Sequence, residues 1–154
     1  MRMKKIISLM LACVALSAST AAFAASPSVI LNGEKLAFET EPYIEDDLTM
    51  VPFRAIFEAV GASVIWDETT RTVIAMGNVN GSATSVALQI DSVDAFVNNE
   101  KVVLEKAAEI TNDSTFVPLR FVMEALGADV QWDNDAYSVL ITTSKEAENG
   151  TEEN

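Results

Sequence analysis

The hydrophobic positions of this chain change period several times between residues 28 and 143, and they do so twice in the same order. Val29-Ile30-Leu31 and Leu36-Ala37-Phe38 are short apolar runs separated by Asn32-Gly33. Both of those residues tolerate positive φ, so the spacing predicts a two-residue hairpin. A polar turn, Glu45-Asp46-Asp47, precedes a further extended stretch that ends at Val51. Pro52 then suits the first turn of a helix, where its missing N–H has no partner to lose. Phe53, Ile56, Phe57 and Val60 recur at i, i+3, i+4 and i+7, which predicts one apolar helical stripe. Gly61 stands where a helix wants a left-handed C-terminal residue. Val64-Ile65-Trp66 and Thr72-Val73-Ile74, joined by Asp67-Glu68-Thr69-Thr70, predict a closing hairpin. The unit therefore reads β-β-β-α-β-β.

The same series returns at an offset of 66. Asn32-Gly33-Glu34-Lys35 falls on Asn98-Asn99-Glu100-Lys101, and Val51-Pro52-Phe53-Arg54 on Val117-Pro118-Leu119-Arg120. Glu58 to Ala62 falls on Glu124 to Ala128, and Val64, Trp66 and Asp67 on Val130, Trp132 and Asp133. The second helical stripe is Leu119, Val122, Met123 and Leu126. Residues 28–75 set against 94–141 give 18 identities in 48 positions without a gap, where chance gives only a few. The expectation is a duplicated unit. The fold class is α+β, with small antiparallel sheets each wrapped around one helix. The repeats occupy 27–76 and 85–143, with a connection at 77–84. A unit of about 50 residues without disulfide or metal is near the lower limit of independent stability, so the two are expected to pack as one domain. The stretch Ser85 to Ile90 has no counterpart and is expected to extend a shared sheet. Residues 144–154 are polar and acidic and read as a disordered tail.

The N-terminus has a different pattern. Arg2, Lys4 and Lys5 precede an apolar run from Ile6 to about Leu16, and small residues lead to Ala22-Phe23-Ala24. This is the layout of a secretory signal peptide over residues 1–24, cleaved after Ala24. The run is too short to span a hydrocarbon core of about 30 Å, so no membrane span is expected. Leu11-Ala12-Cys13 resembles part of a lipoprotein cleavage box, which leaves a lipidated Cys13 as the rival reading.

Charge and composition narrow the chemistry. Ten Lys and Arg stand against 23 Asp and Glu, a net charge of −13. Losing Arg2, Lys4 and Lys5 leaves seven cations against the same carboxylates. So few cations build no phosphate-tracking face, and no nucleic-acid partner is expected. The chain has no histidine and one cysteine, Cys13. Ser-His-Asp triads, imidazole-held metals, internal disulfides and thiolate zinc sites are thereby excluded. No cofactor, metal or catalytic residue is expected.

Val-Pro-Phe/Leu-Arg, Glu-Ala-Val/Leu-Gly-Ala and Val-x-Trp-Asp, followed by an alternating strand, resemble the copper amine oxidase N-terminal-like domain, also called the stalk domain. The resemblance spans about residues 28–143 and its motifs occur twice. It implies a small α+β unit, an antiparallel sheet wrapped around a helix. It also implies an exported or cell-surface protein of Gram-positive bacteria and a non-catalytic module. Copper and the modified tyrosine belong to a separate, larger catalytic domain.

The motif residues Pro52, Arg54, Gly61, Trp66 and Asp67, with Pro118, Arg120, Gly127, Trp132 and Asp133, are read as structural. The tryptophans recur beside an apolar helix stripe, as core residues do, although aromatic faces also stack on sugars. The arginines pair either with Glu58 and Glu124, in the less favourable order, or bidentately with Asp67 and Asp133. Asp133-x-Asp135 begins like a calcium loop but lacks the later ligands and the glycine. Tyr43 and Tyr137 have no aromatic counterparts and are the candidate surface-binding residues. The functional expectation is a secreted or wall-associated, non-catalytic binding or adhesion module of the cell envelope. Its partner would be a cell-wall polymer or another exported protein. The alternatives are a small regulator docking on an exported enzyme, or a carboxylate-dependent hydrolase. Export predicts that mass spectrometry of the secreted protein finds Ala25 at the N-terminus; an intact Met1 or a lipid on Cys13 contradicts it.

Overall fold

The structure, a computed structural model, describes residues 25–144. The expected signal segment 1–24, and all of the expected tail except Ser144, lie outside the described residues. The chain opens with the hairpin β1 (Ser28–Leu31) and β2 (Glu34–Lys35), then the hairpin β3 (Tyr43–Glu45) and β4 (Leu48–Pro52). Helix α1 (Phe53–Ala59) leads to the hairpin β5 (Ser63–Asp67) and β6 (Thr72–Asn78). After β7 (Ala83–Gln89) come β8 (Asp94–Val97), β9 (Glu100–Val103), β10 (Glu109–Thr111) and β11 (Ser114–Pro118). Helix α2 (Leu119–Ala125), β12 (Asp129–Asp133) and β13 (Ser138–Thr142) complete an α+β fold. Each element from β8 onward begins 66 residues after its counterpart in the first half.

Local chemistry explains the boundaries. Asn32-Gly33 and Asn98-Asn99 have positive φ at both positions, and so do Asp46-Asp47 and Asn112-Asp113. All four are therefore the tight primed turns whose twist suits antiparallel strands. Asn and Asp tolerate that conformation better than other residues with a side chain. Both helices end in the same cap. Gly61 (φ 78°) donates its N–H to the Glu58 carbonyl, and Ala62 donates to that of Phe57. Gly127 (φ 86°) and Ala128 do the same with Glu124 and Met123. This is the Schellman arrangement, and glycine alone enters it without a Cβ penalty. The prolines depart from expectation. Pro52 and Pro118 are extended (ψ 119° and 115°) and cap the helices as the last residues of β4 and β11. The ring fixes φ near −65° but leaves ψ free, so proline serves as well just before a helix as within its first turn.

The expectation of one sheet wrapped around each helix fails, because every sheet draws on both halves. The orders are β12-β13-β1-β2, β10-β11-β4-β3 and β5-β6-β7-β8-β9. In the second of these β4 and β11 run antiparallel, and Val51 pairs with Val117, its own counterpart at offset 66. Met50 opposite Pro118 and Pro52 opposite Phe116 follow the same self-complementary register. At one end β1 lies parallel to β13; at the other, β7 is inserted between β6 and β8 and makes that sheet antiparallel throughout. The stretch without a counterpart is thus an internal strand. The expected connection at 77–84 shrinks to residues 79–82, since β6 and β7 consume the rest. Within it Val79 is buried. Asn80 accepts hydrogen bonds from the Ser144 N–H and hydroxyl and donates to the Gly127 carbonyl.

One hydrophobic cluster runs through both halves. Phe53, Ile56 and Phe57 from α1 and Leu119, Val122 and Met123 from α2 are almost wholly buried in it, with Val29, Val86, Leu88 and Ile141 from the sheets. The Phe53 and Phe57 rings lie 4.3 Å apart, within the range of a favourable aromatic pair. Either half alone would leave strand edges and this core bare. We therefore expect a single melting transition for the whole chain. Fragments 25–82 and 83–145 should be unstructured apart and regain structure when mixed; two fragments that each melt sharply would contradict this.

Candidate functional site

Two clefts occupy equivalent places in the halves. The first, of about 800 Å³, is lined by α1, the inner side of β5 and β6, and the β10–β11 hairpin of the other half. The second, of about 310 Å³, is lined by α2, β12 and β13, and the β3–β4 hairpin. Each helix packs on both β4 and β11 and on the strand that bears its tryptophan, which leaves the cleft alongside. Thirteen lining positions correspond at offset 66, and nine of them hold the same residue in both clefts. Over the remaining 35 aligned positions the identities are also nine. Identity between the halves is thus nearly three times as frequent in the clefts as outside them.

The tryptophans correct the sequence reading. Trp66 and Trp132 were expected in the core, yet they are 38% and 37% exposed. They do face inward, opposite the buried Val73 and Val139. However, β5 and β12 are edge strands, and a two-turn helix does not cover the indole at the sheet margin. Each tryptophan presents part of its surface to a cleft. Three exposed polar pairs accompany them: Arg54 and Arg120, Glu58 and Glu124, Glu39 and Glu105. Exposed polar and aromatic residues kept at matching places serve contact more than packing.

The arginines do not reach the aspartates. Arg54 pairs with Glu58 at 3.6 Å and Arg120 with Glu124 at 3.3 Å, the i,i+4 alternative. Arg120 also donates to the Val130 carbonyl at 2.9 Å, tying α2 to the strand of Trp132. These exposed pairs contribute little stability. Asp67 and Asp133 close their own turns instead. Asp67 accepts from the N–H of Thr69 and Thr70, and Asp133 from those of Asp135 and Ala136. Hydrogen bonds from Thr70, hydroxyl and backbone, hold the Asp67 carboxyl below the usual carboxylate range. An aspartate spent on its own backbone is unfree to meet an arginine.

Of the two candidate tyrosines, Tyr137 lies at the surface, 40% exposed, edge-on to Trp132 at 5.2 Å. Tyr43 is half-buried, and its ring lies 4.9 Å from that of Phe116. Its hydroxyl donates to Glu109, its own counterpart at offset 66. The surface-contact expectation for Tyr43 is therefore corrected to a bond between the halves. The missing aromatic counterpart was the signal for this, since Glu109 replaces it because the two side chains meet. Nearby Lys106 pairs with Glu45 at 2.8 Å, with Asp46 at 3.6 Å and with Glu109 at 4.0 Å. Burial and the Glu109 carboxylate raise the Tyr43 phenol above its ordinary range, and Glu45 raises Lys106.

Fold and clefts define a small α+β module with two open aromatic recesses. The family model of the copper amine oxidase N-terminal domain matches residues 30–141, and the chain belongs to that family. That domain is a non-catalytic part of the oxidases. No curated protein matches the chain. The residues present do not fit a copper centre: histidine is absent, and among the described residues no three Asp, Glu, His or Cys side chains converge on a metal position. Among the described residues no helix is long and apolar enough to cross a membrane.

Two measurements test this geometry. Trp66→Ala and Trp132→Ala should each cost about 1–2 kcal/mol, short of the 3–5 kcal/mol typical for a fully buried aromatic. A melting shift as large as that of Phe57→Ala would return the tryptophans to the core. For Tyr43, the folded pKa lies above the unfolded value, so the folded chain binds more protons in alkali. Its stabilising contribution is fully present below about pH 10 and lost as pH rises beyond that. Melting temperature should fall above pH 10, and Tyr43→Phe should flatten that fall.

Proposed function

We propose that the chain is a secreted, non-catalytic binding or adhesion module of the bacterial cell envelope, built from a duplicated unit, with one binding cleft per unit. The observation that carries this is the doubled cleft. Nine of thirteen corresponding lining positions hold the same residue in halves that otherwise share about a quarter of their aligned residues. Packing accounts for Val64, Val73 and Pro52, but it does not account for exposed Arg54, Glu58, Glu39 and Trp66. The carboxylates sit on open cleft walls and not in an enclosed recess, which suits contact with a ligand better than acid–base chemistry.

A second reading, docking on an exported enzyme, rests on the outer face of the five-stranded sheet. Ile65, Ile74, Ala87 and Phe96 form one cross-strand row there, with Met76 and Val103 also exposed. Co-sedimentation with purified Gram-positive cell walls separates the two. Retention on walls stripped of protein supports the wall-binding module. A chain that ignores such walls but captures one exported enzyme, and loses it on Phe96→Lys, supports docking.

A further inference from the structure

Resting on the wall-binding reading, we propose that the ligand is the glycan strand of the wall, with one pyranose ring stacked on Trp66 and another on Trp132. The chemistry of each cleft points to a sugar. A partly exposed indole attracts the polarised C–H groups of a pyranose, because the ring face is the negative part of its quadrupole. Around it stand an arginine with planar N–H donors and carboxylates that accept from hydroxyls. Charge-assisted bonds of this kind are the stronger class. Arg54 and Glu58 hold each other on the helix flank, so donor and acceptor reach the ligand as a pair. Arg120 and Glu124 repeat the arrangement.

Charge selects among wall polymers. Each cleft sets three carboxylates against one arginine: Glu39, Glu58 and Asp113 around Arg54 in the first, and their counterparts around Arg120 in the second. The resulting negative field repels phosphate-bearing polymers and leaves uncharged sugars unopposed. Two like sites on one rigid chain in turn suit a ligand that repeats. Occupation of the first cleft raises the effective concentration of the next rings at the second.

The four lining positions that differ set the sizes. Val103 replaces Ala37, Leu48 replaces Ser114, Phe121 replaces Ala55, and Leu119 replaces Phe53. Three of these changes enlarge a side chain in the second cleft, in line with about 310 Å³ against about 800 Å³. The first cleft takes a longer stretch of the strand than the second.

The test uses the purified chain, insoluble chitin as a teichoic-acid-free glycan, a soluble β-1,4-linked N-acetylglucosamine hexamer, and purified wall teichoic acid. The expected result is binding to both glycans and none to teichoic acid. Trp66→Ala or Trp132→Ala should lower retention on chitin about tenfold or more, through lost avidity. Each should also halve the stoichiometry for the hexamer. The double variant should lose both while still melting cooperatively. If a tryptophan variant unfolds, Glu58→Gln with Glu124→Gln replaces it, and the same loss of glycan binding is expected. Wall binding that survives the double variant, or that follows teichoic acid, overturns this inference but leaves the wall-binding reading standing. A chain that binds no wall fraction overturns both.

Discussion

The fold hangs on one antiparallel pairing, β4 against β11, in which Val51 faces Val117 and both are fully buried. Each contributes about 1.5–3 kcal/mol by leaving water. The register matters more than the two side chains. A residue opposed to its own counterpart at offset 66 makes the contact self-complementary, as in an isologous dimer interface, but within one chain. Everything else is placed from it. The helices leave this pair in opposite halves, and each packs on both strands. Tyr43 and Glu109 meet because they flank it at matching positions.

Such a centre forces the outer strands to be shared. A half with one two-turn helix and six short strands cannot cover its own core; β1 finds a partner in the other half's closing hairpin, and β8 is joined to that of the first half through β7. On one side β1 meets β13 directly and in parallel. Where the chain continues from one half to the next, the path itself supplies β7, and antiparallel pairing replaces the parallel contact. Side-chain bonds then fix the seam. Asn32 exchanges hydrogen bonds with Thr143, and Asn80 joins Gly127 and Ser144.

The clefts are consequences of the same exchange. Each has a helix and a tryptophan strand from one half and a hairpin from the other, so neither cleft exists in a half alone. The tight turns at Asp46-Asp47 and Asn112-Asp113 carry Asp47 and Asp113 into the opposite cleft. A single half would show neither the acid pattern nor both walls of a cleft.

Much was legible along the chain because it is decided locally. The turns at Asn32-Gly33 and Asn98-Asn99, the apolar stripes of both helices and the glycine caps depend on φ preference and on the 3.6 period. Neighbouring residues alone set these. The α+β class and the family came with them, but not the whole element order: each half has four strands before its helix where three are expected, the additional ones being the three-residue β3 and β10. Other features were decided only by long-range contacts: the exchange of strands between halves, the half-exposure of Trp66 and Trp132, and the fate of Tyr43. An alternating strand pattern says which side chains face inward but not whether the strand becomes an edge, and at an edge an inward tryptophan keeps part of its surface in water. A tyrosine whose counterpart is a glutamate looks like a loss of symmetry until the pairing of β4 with β11 brings the two together.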